Sequence, residues 1–130
     1  MQVTIDRTSL HFVYVVDEEG MSRIFADFKR NLVMQHHATL IYFSPKSNFI
    51  FNKELEILQR RYPSQIILRQ MKEKLIDASA SIQELLEAVI NSNTKDNLIL
   101  MLCGDEELIH IVSNRLWFLG ICKNQIQTCN

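Results

Sequence analysis

The chain is short of the residues that interrupt regular structure, with 3 Gly and 2 Pro among 130 residues. So little turn-forming material argues against a small loop-rich fold and predicts few, long elements. Cysteine is also scarce: three residues at positions 103, 122 and 129, an odd count at wide spacing with no C-x-x-C. That excludes a disulfide scaffold or a zinc module and predicts a reduced, cytoplasmic chain. Neither sign of charge dominates, with 14 Lys+Arg against 15 Asp+Glu. Nucleic acid and anionic membrane surfaces therefore have no electrostatic footing as partners. No apolar run approaches the ~18 residues of a membrane span, and the N-terminal Met-Gln-Val-Thr-Ile-Asp-Arg has no apolar signal-like stretch. What is present is ordinary for a globular domain: 47% hydrophobic and 22% charged residues. A single domain of this size buries roughly two-thirds of the surface its unfolded chain exposes, enough for a core without metal or disulfide.

Residues 10–16 form an apolar run that suits a strand buried on both faces. Asp17-Glu18-Glu19-Gly20 breaks it, and from Met21 the spacing turns helical, with Met21, Ile24, Phe25, Phe28 and Leu32 on one face. A second buried strand covers 38–44 and stops at Pro45. A helix near Asn52 aligns Leu55, Leu58 and Tyr62, with Pro63 just past its end. Residues 65–68 give a third strand, and 72–80 show no clean period. Ser81-x-x-Glu84 matches a capping box for a helix striped with Ile82, Leu85, Leu86, Val89 and Ile90. After a polar loop over 91–97, residues 98–103 are the most apolar strand. Gly104 and Asp105 lead into a helix that Asp105 can cap, with Glu106 and Glu107 at its positive end. Leu108, Ile111, Val112, Leu116 and Leu119 face inward, Gly120 is a left-handed stop, and 125–129 is a last strand.

Strands alternate with helices throughout, which predicts an α/β, Rossmann-like fold: a parallel sheet with helices on both faces. The expected order is 3-2-1-4-5, with the first and fourth strands side by side at the centre. Ligands of such sheets sit outside the carboxyl ends of the strands, where the order reverses. Elsewhere the residues point to structure. His36-His37 falls at the opposite sheet edge, and adjacent histidines rarely converge on one ion without further ligands. Arg60-Arg61 reads as a solvated helix end. An acidic pair after the first strand also opens phosphoacceptor receiver domains, but here the third strand ends at Leu68-Arg69-Gln70 without a carboxylate.

The strand ends carry a likeness. Cys103-Gly104-Asp105-Glu106-Glu107-Leu108, followed by Asn114-Arg115-Leu116, Leu119-Gly120 and Asn124-Gln125-Ile126, resembles the nicotinamide-dinucleotide-binding module of ferredoxin–NADP reductase-type flavoproteins. Leu40-Ile41-Tyr42, with the segment over 48–58, is similar to that family's second strand and following helix. Val15-Val16-Asp17-Glu18-Glu19-Gly20-Met21-Ser22-Arg23-Ile24-Phe25 falls where the family has its glycine-rich turn and Gly-Ile-Thr-Pro. The resemblance covers residues 10–130 as an NAD(P)-binding-like domain, and leaves 1–9 as an N-terminal extension or the remnant of a preceding domain. It implies NAD or NADP as cofactor and hydride delivery to FAD or FMN held by a separate flavin-binding barrel domain or chain. By position, it places Cys103 beside the nicotinamide, with Gly104 and Asp105 next to it. Gly20 and Ser22 fall at the pyrophosphate turn, and Ser44, Lys46 and Arg69 toward the adenosine end.

The same resemblance exposes departures. The family's first two glycines are Asp17 and Glu18 here, where glycine lets phosphate approach the backbone. A carboxylate about 5 Å from a phosphate charge costs about 3 kcal/mol at an effective dielectric of about 20. Two such groups are enough to erase ordinary dinucleotide affinity, although Arg23, in place of the family's proline, offsets part of that. Two functional classes therefore stand: the nucleotide half of an NAD(P)H-dependent flavin oxidoreductase, inactive alone, or a non-catalytic domain that kept the fold, lost the dinucleotide and acts in protein interaction.

Overall fold

A computed structural model describes residues 10–44, 46, 49–72, 79–92 and 97–129. The segment 1–9, Pro45 and most of the polar stretches over 72–80 and 91–97 lie outside the described residues. Five strands, β1 (His11–Val16), β2 (His37–Phe43), β3 (Ile66–Met71), β4 (Leu98–Cys103) and β5 (Ile126–Cys129), alternate with four helices. The helices are α1 (Glu18–Val33), α2 (Asn52–Arg61), α3 (Ser79–Ser92) and α4 (Glu106–Phe118). All strand pairs are parallel, in the order β3-β2-β1-β4-β5. The expected fold class and strand order are both present.

The apolar runs decide this arrangement. Val13, Tyr14, Val15 and Val16 of β1 are fully buried, as are Leu40, Ile41 and Tyr42 of β2. A strand covered on both faces must lie inside the sheet with helices above and below it. One face packs Val13, Val15, Ile41 and Leu100 under Ile82 and Leu86 of α3 and Leu108, Val112 and Leu116 of α4. The other packs Tyr14, Val16, Leu40 and Tyr42 under Met21, Ile24, Phe28 and Leu32 of α1 and Leu55 of α2.

Several boundaries differ from the sequence reading. Glu18, Glu19 and Gly20 are not a turn but the first turn of α1, because Asp17 caps it: the Gly20 amide donates to Asp17 Oδ1 at 2.8 Å. The helix α3 begins at Ser79, so Ser81 lies inside its first turn and is not the cap. On α4 the inward stripe is Leu108, Val112 and Leu116 with Ile109 beside it, and Ile111 instead borders an open groove with Phe118. Spacing by four keeps 108, 112 and 116 on one line, and Ile111 falls off it. Gly120 stops α4 in the left-handed region (φ 85°), as its position suggested. The helix α2 is entered through Phe51, also left-handed (φ 63°), whose ring stacks on Phe25 at 4.2 Å. Trp117 and Phe118, at the end of α4, stay exposed.

Candidate functional site at the β1 and β4 carboxyl ends

The strand order reverses between β1 and β4, so the crevice of the fold opens where these two strands end. Their register pairs Val16 with Cys103. The next residues, Asp17 and Gly104, therefore meet at the mouth of the crevice. Each strand then feeds a helix whose first turn is acidic: Glu18 and Glu19 on α1, Glu106 and Glu107 on α4. Asp105 caps α4 by accepting the Leu108 amide at 2.9 Å. Acidic residues here are favoured by the two helix dipoles.

Asp17 is the centre of this arrangement. Its Oδ1 accepts from the Gly20 amide, and its Oδ2 accepts from the Asp105 amide at 3.1 Å. One carboxylate thus links the N-terminal ends of α1 and α4. In this class of fold an anion bound at the crevice uses such amides, and here the protein's own side chain uses them. Glu18 lies alongside, its Oε1 accepting from Ser44 Oγ at 2.8 Å. Tyr42, below them, has its phenol pKa raised by burial, with Glu18 and Asp17 adding to the rise and the Ile50 amide opposing it.

The glycines are explained by the same packing. A Cβ on Gly20 would lie 1.8 Å from the Cys103 carbonyl oxygen, so α1 can approach β4 this closely only without a side chain. A Cβ on Gly104 would fall 2.6 Å from Asp17 Oδ2, and its φ of +152° disfavours any other residue. Both glycines answer to contacts inside the protein.

Cys103 is fully buried and forms a disulfide with Cys129. This corrects the expectation of a wholly reduced chain. The parallel register of β4 and β5 sets Cys103 directly opposite Cys129, with Cα atoms 4.7 Å apart, inside the range that a disulfide requires. Cys122 is free and exposed.

Of the residues singled out from sequence, Gly20, Cys103, Gly104 and Asp105 converge, and Ser44 joins them through Glu18. Ser22 is exposed on α1, its hydroxyl directed to the Glu18 carbonyl of its own helix. Lys46 is exposed beyond β2. Because β3 runs on to Met71, Arg69 lies inside the strand, opposite Ile41. It lines a cavity of about 210 Å³ with His11, Thr39 and Ile67 under α3. The two site residues missed were Asp17 as an acceptor and Cys129. The first had a signal, since an Asp followed by two Glu is an N-cap sequence. The second had none without the register. Among the described residues no group of three or more His, Cys, Asp or Glu side chains could hold a metal ion, and no helix is long and apolar enough to cross a membrane.

No protein-family model matches the sequence, and no curated protein matches it. Solved structures do. A ferredoxin-NADP+ reductase from Plasmodium falciparum superposes with a TM-score of 0.75 at 19% identity, over 92% of this chain and 51% of that one. A ferredoxin NADP+ reductase from Neisseria gonorrhoeae with bound FAD and NADP gives 0.72 at 14% identity, over 95% and 57%. The flavohem-like FAD/NAD binding domain of the nitric oxide dioxygenase from Vibrio cholerae gives 0.67 at 16%, over 97% and 52%. The chain spans about half the length of each of these proteins. It has the fold of the NAD(P)-binding module of ferredoxin-NADP+ reductases.

Proposed function

We propose that this chain is the nucleotide-side module of a ferredoxin reductase-like architecture in which the pyrophosphate position is closed by the protein itself. On this reading it works as a non-catalytic interaction part, with a flavin-binding barrel domain or chain as its partner. The observation that carries the reading is the Asp17 carboxylate, which holds the Gly20 and Asp105 amides at once. A dinucleotide would have to displace a covalently tethered anion and then face Glu18, Glu19, Glu106 and Glu107. The residues present therefore do not fit a pyrophosphate. The half-length match to the reductases supports a barrel partner. A cytoplasmic location belongs to the reading on condition that the Cys103–Cys129 bond is reversible, since stable disulfides are rare there.

A second reading keeps NADH or NADPH as cofactor and passes hydride to FAD or FMN on a separate domain. It is favoured by Cys103-Gly104 ending β4 against Gly20 in the first turn of α1. In it, Cys103 and Gly104 flank the nicotinamide and Ser44 and Lys46 lie toward the adenosine end, without Arg69, which sits inside β3 under α3.

Calorimetric titration with NADH and with NADPH separates the two. The first reading expects no measurable binding to the wild-type chain. It expects a gain in the Asp17→Gly/Glu18→Gly variant, which removes both carboxylates while glycine keeps an acceptable cap. Saturable binding of either dinucleotide by the wild type overturns it. The second reading further expects a flavin-loaded barrel to confer dye reduction, lost in Cys103→Phe and kept in Cys103→Ser. The isolated chain reduces no dye under either reading, because a hydride acceptor must lie in near-attack geometry.

A further inference from the structure

The cysteines carry an inference that does not depend on the dinucleotide. The disulfide sits at the carboxyl end of β4 and ties that strand to β5, which lies at one edge of the sheet and is four residues long. Besides the ladder, β5 is anchored by the Gly104 amide donating to the Cys129 carbonyl at 3.2 Å. The two residues differ in burial: Cys103 is fully buried, whereas Cys129, at the end of β5, is partly exposed. The third thiol, Cys122, is exposed and enters the same strand from seven residues upstream. An exposed free thiol close in sequence to the disulfide is itself competent for thiol–disulfide exchange.

We propose that Cys103 and Cys129 are a reversible dithiol–disulfide site, reduced by a dithiol that approaches from the β5 edge. The attacking thiolate forms a bond to Sγ of Cys129, the less buried residue of the pair, and the Cys103–Cys129 bond breaks, releasing Cys103 as a thiolate that takes up a proton. The second thiol of the reductant, as its thiolate, attacks its own sulfur in the mixed disulfide. Cys129 leaves as a thiolate and is protonated. Two electrons and two protons reach the chain, and the reductant ends as a disulfide. Reduction leaves the end of β5 held to the crevice wall by the ladder and the Gly104 amide alone. The oxidised state therefore fixes that wall and the reduced state loosens it.

The test uses the full chain and dithiothreitol. Purified without reductant and alkylated with iodoacetamide under native conditions, it should carry label on Cys122 alone. After incubation with dithiothreitol in native buffer, acid quench, removal of the dithiothreitol and alkylation in denaturant, all three cysteines should be labelled, since Cys103 is fully buried in the folded chain. Hydrogen exchange should then quicken about tenfold or more at residues 126–129 and at Gly104, with β1 and β2 unchanged. Cys129→Ser without reductant should show the same fast exchange and no response to dithiothreitol. Native labelling of Cys103 or Cys129 before reduction overturns the proposal. So does a disulfide that opens only in denaturant, which would make it a permanent staple. Unchanged exchange at β5 overturns the loosening. None of these readouts involves a dinucleotide, so either functional reading can fail without touching them.

Discussion

Gly20 and Gly104 are fixed by different kinds of neighbour, and substitutions should tell them apart. At Gly20 the obstacle is backbone, the Cys103 carbonyl 1.8 Å from where a Cβ would sit. No rotamer change relieves that, so Gly20→Ala must push α1 off β4, at a cost of about 3 kcal/mol or more. At Gly104 the nearest atoms belong to the Asp17 side chain. Gly104→Ala should therefore be partly rescued by Asp17→Gly, leaving only the penalty of its positive φ, while Gly20→Ala should gain nothing from Asp17→Gly. Urea denaturation of the single and double variants measures both couplings. Equal rescue at both positions would contradict the assignment. The sequence made these glycines visible but not their reason: a glycine kept for packing and one kept for phosphate look alike until the neighbouring strand is in place.

At the level of elements, β1 is locked to α1 by a polar contact within the core. The buried Tyr14 hydroxyl donates to Asp27 Oδ2 at 2.9 Å and accepts from Asn31 Nδ2 at 2.6 Å. Burial holds this phenol well above its ordinary value of 10.0, with the Asn31 hydrogen bond opposing and Asp27 adding to the rise. The folded state thus keeps the proton more tightly than the unfolded chain. The associated stability is complete below about pH 10 and is lost as pH climbs beyond it. The thermal midpoint should fall above that pH. Tyr14→Phe should lessen the fall and lower stability at neutral pH by about 1 kcal/mol, through the lost hydrogen bonds. A pH series of melting curves for both proteins checks this; Tyr42, shifted in the same direction, leaves some slope in the variant. The elements themselves were legible where burial is extreme. Val13 to Val16 and Leu98 to Cys103 read as central strands because a run with no polar face can go nowhere else. The end of half-buried β3, which runs on to Met71, and the outward place of Ile111 were misread, because on a surface a small shift changes little in energy and leaves little trace in the pattern.

Across the whole molecule, the Cys103–Cys129 bond closes a loop spanning the entire α4 segment, at a sequence separation of 26. Restricting an unfolded loop of that length is worth about 3–4 kcal/mol in the chain-entropy account. The full chain should melt several degrees lower in dithiothreitol, and Cys129→Ser should melt at the reduced wild-type temperature with or without it. An unchanged midpoint on reduction would remove the bond from the stability of the fold. Nothing in the spacing of the cysteines pointed to this pairing, since it arises from the parallel register of two strands distant in sequence. The same architecture constrains how such transitions can be watched. The single tryptophan, Trp117, is 53% exposed on the outer side of α4. Its fluorescence already comes from a wet indole and should shift little in wavelength when the chain unfolds. The chromophores that do exchange a dry site for water are Tyr14 and Tyr42, both fully buried against the sheet. Near-ultraviolet circular dichroism of those two phenols, rather than tryptophan emission, is where the cooperative loss of this core becomes optically visible.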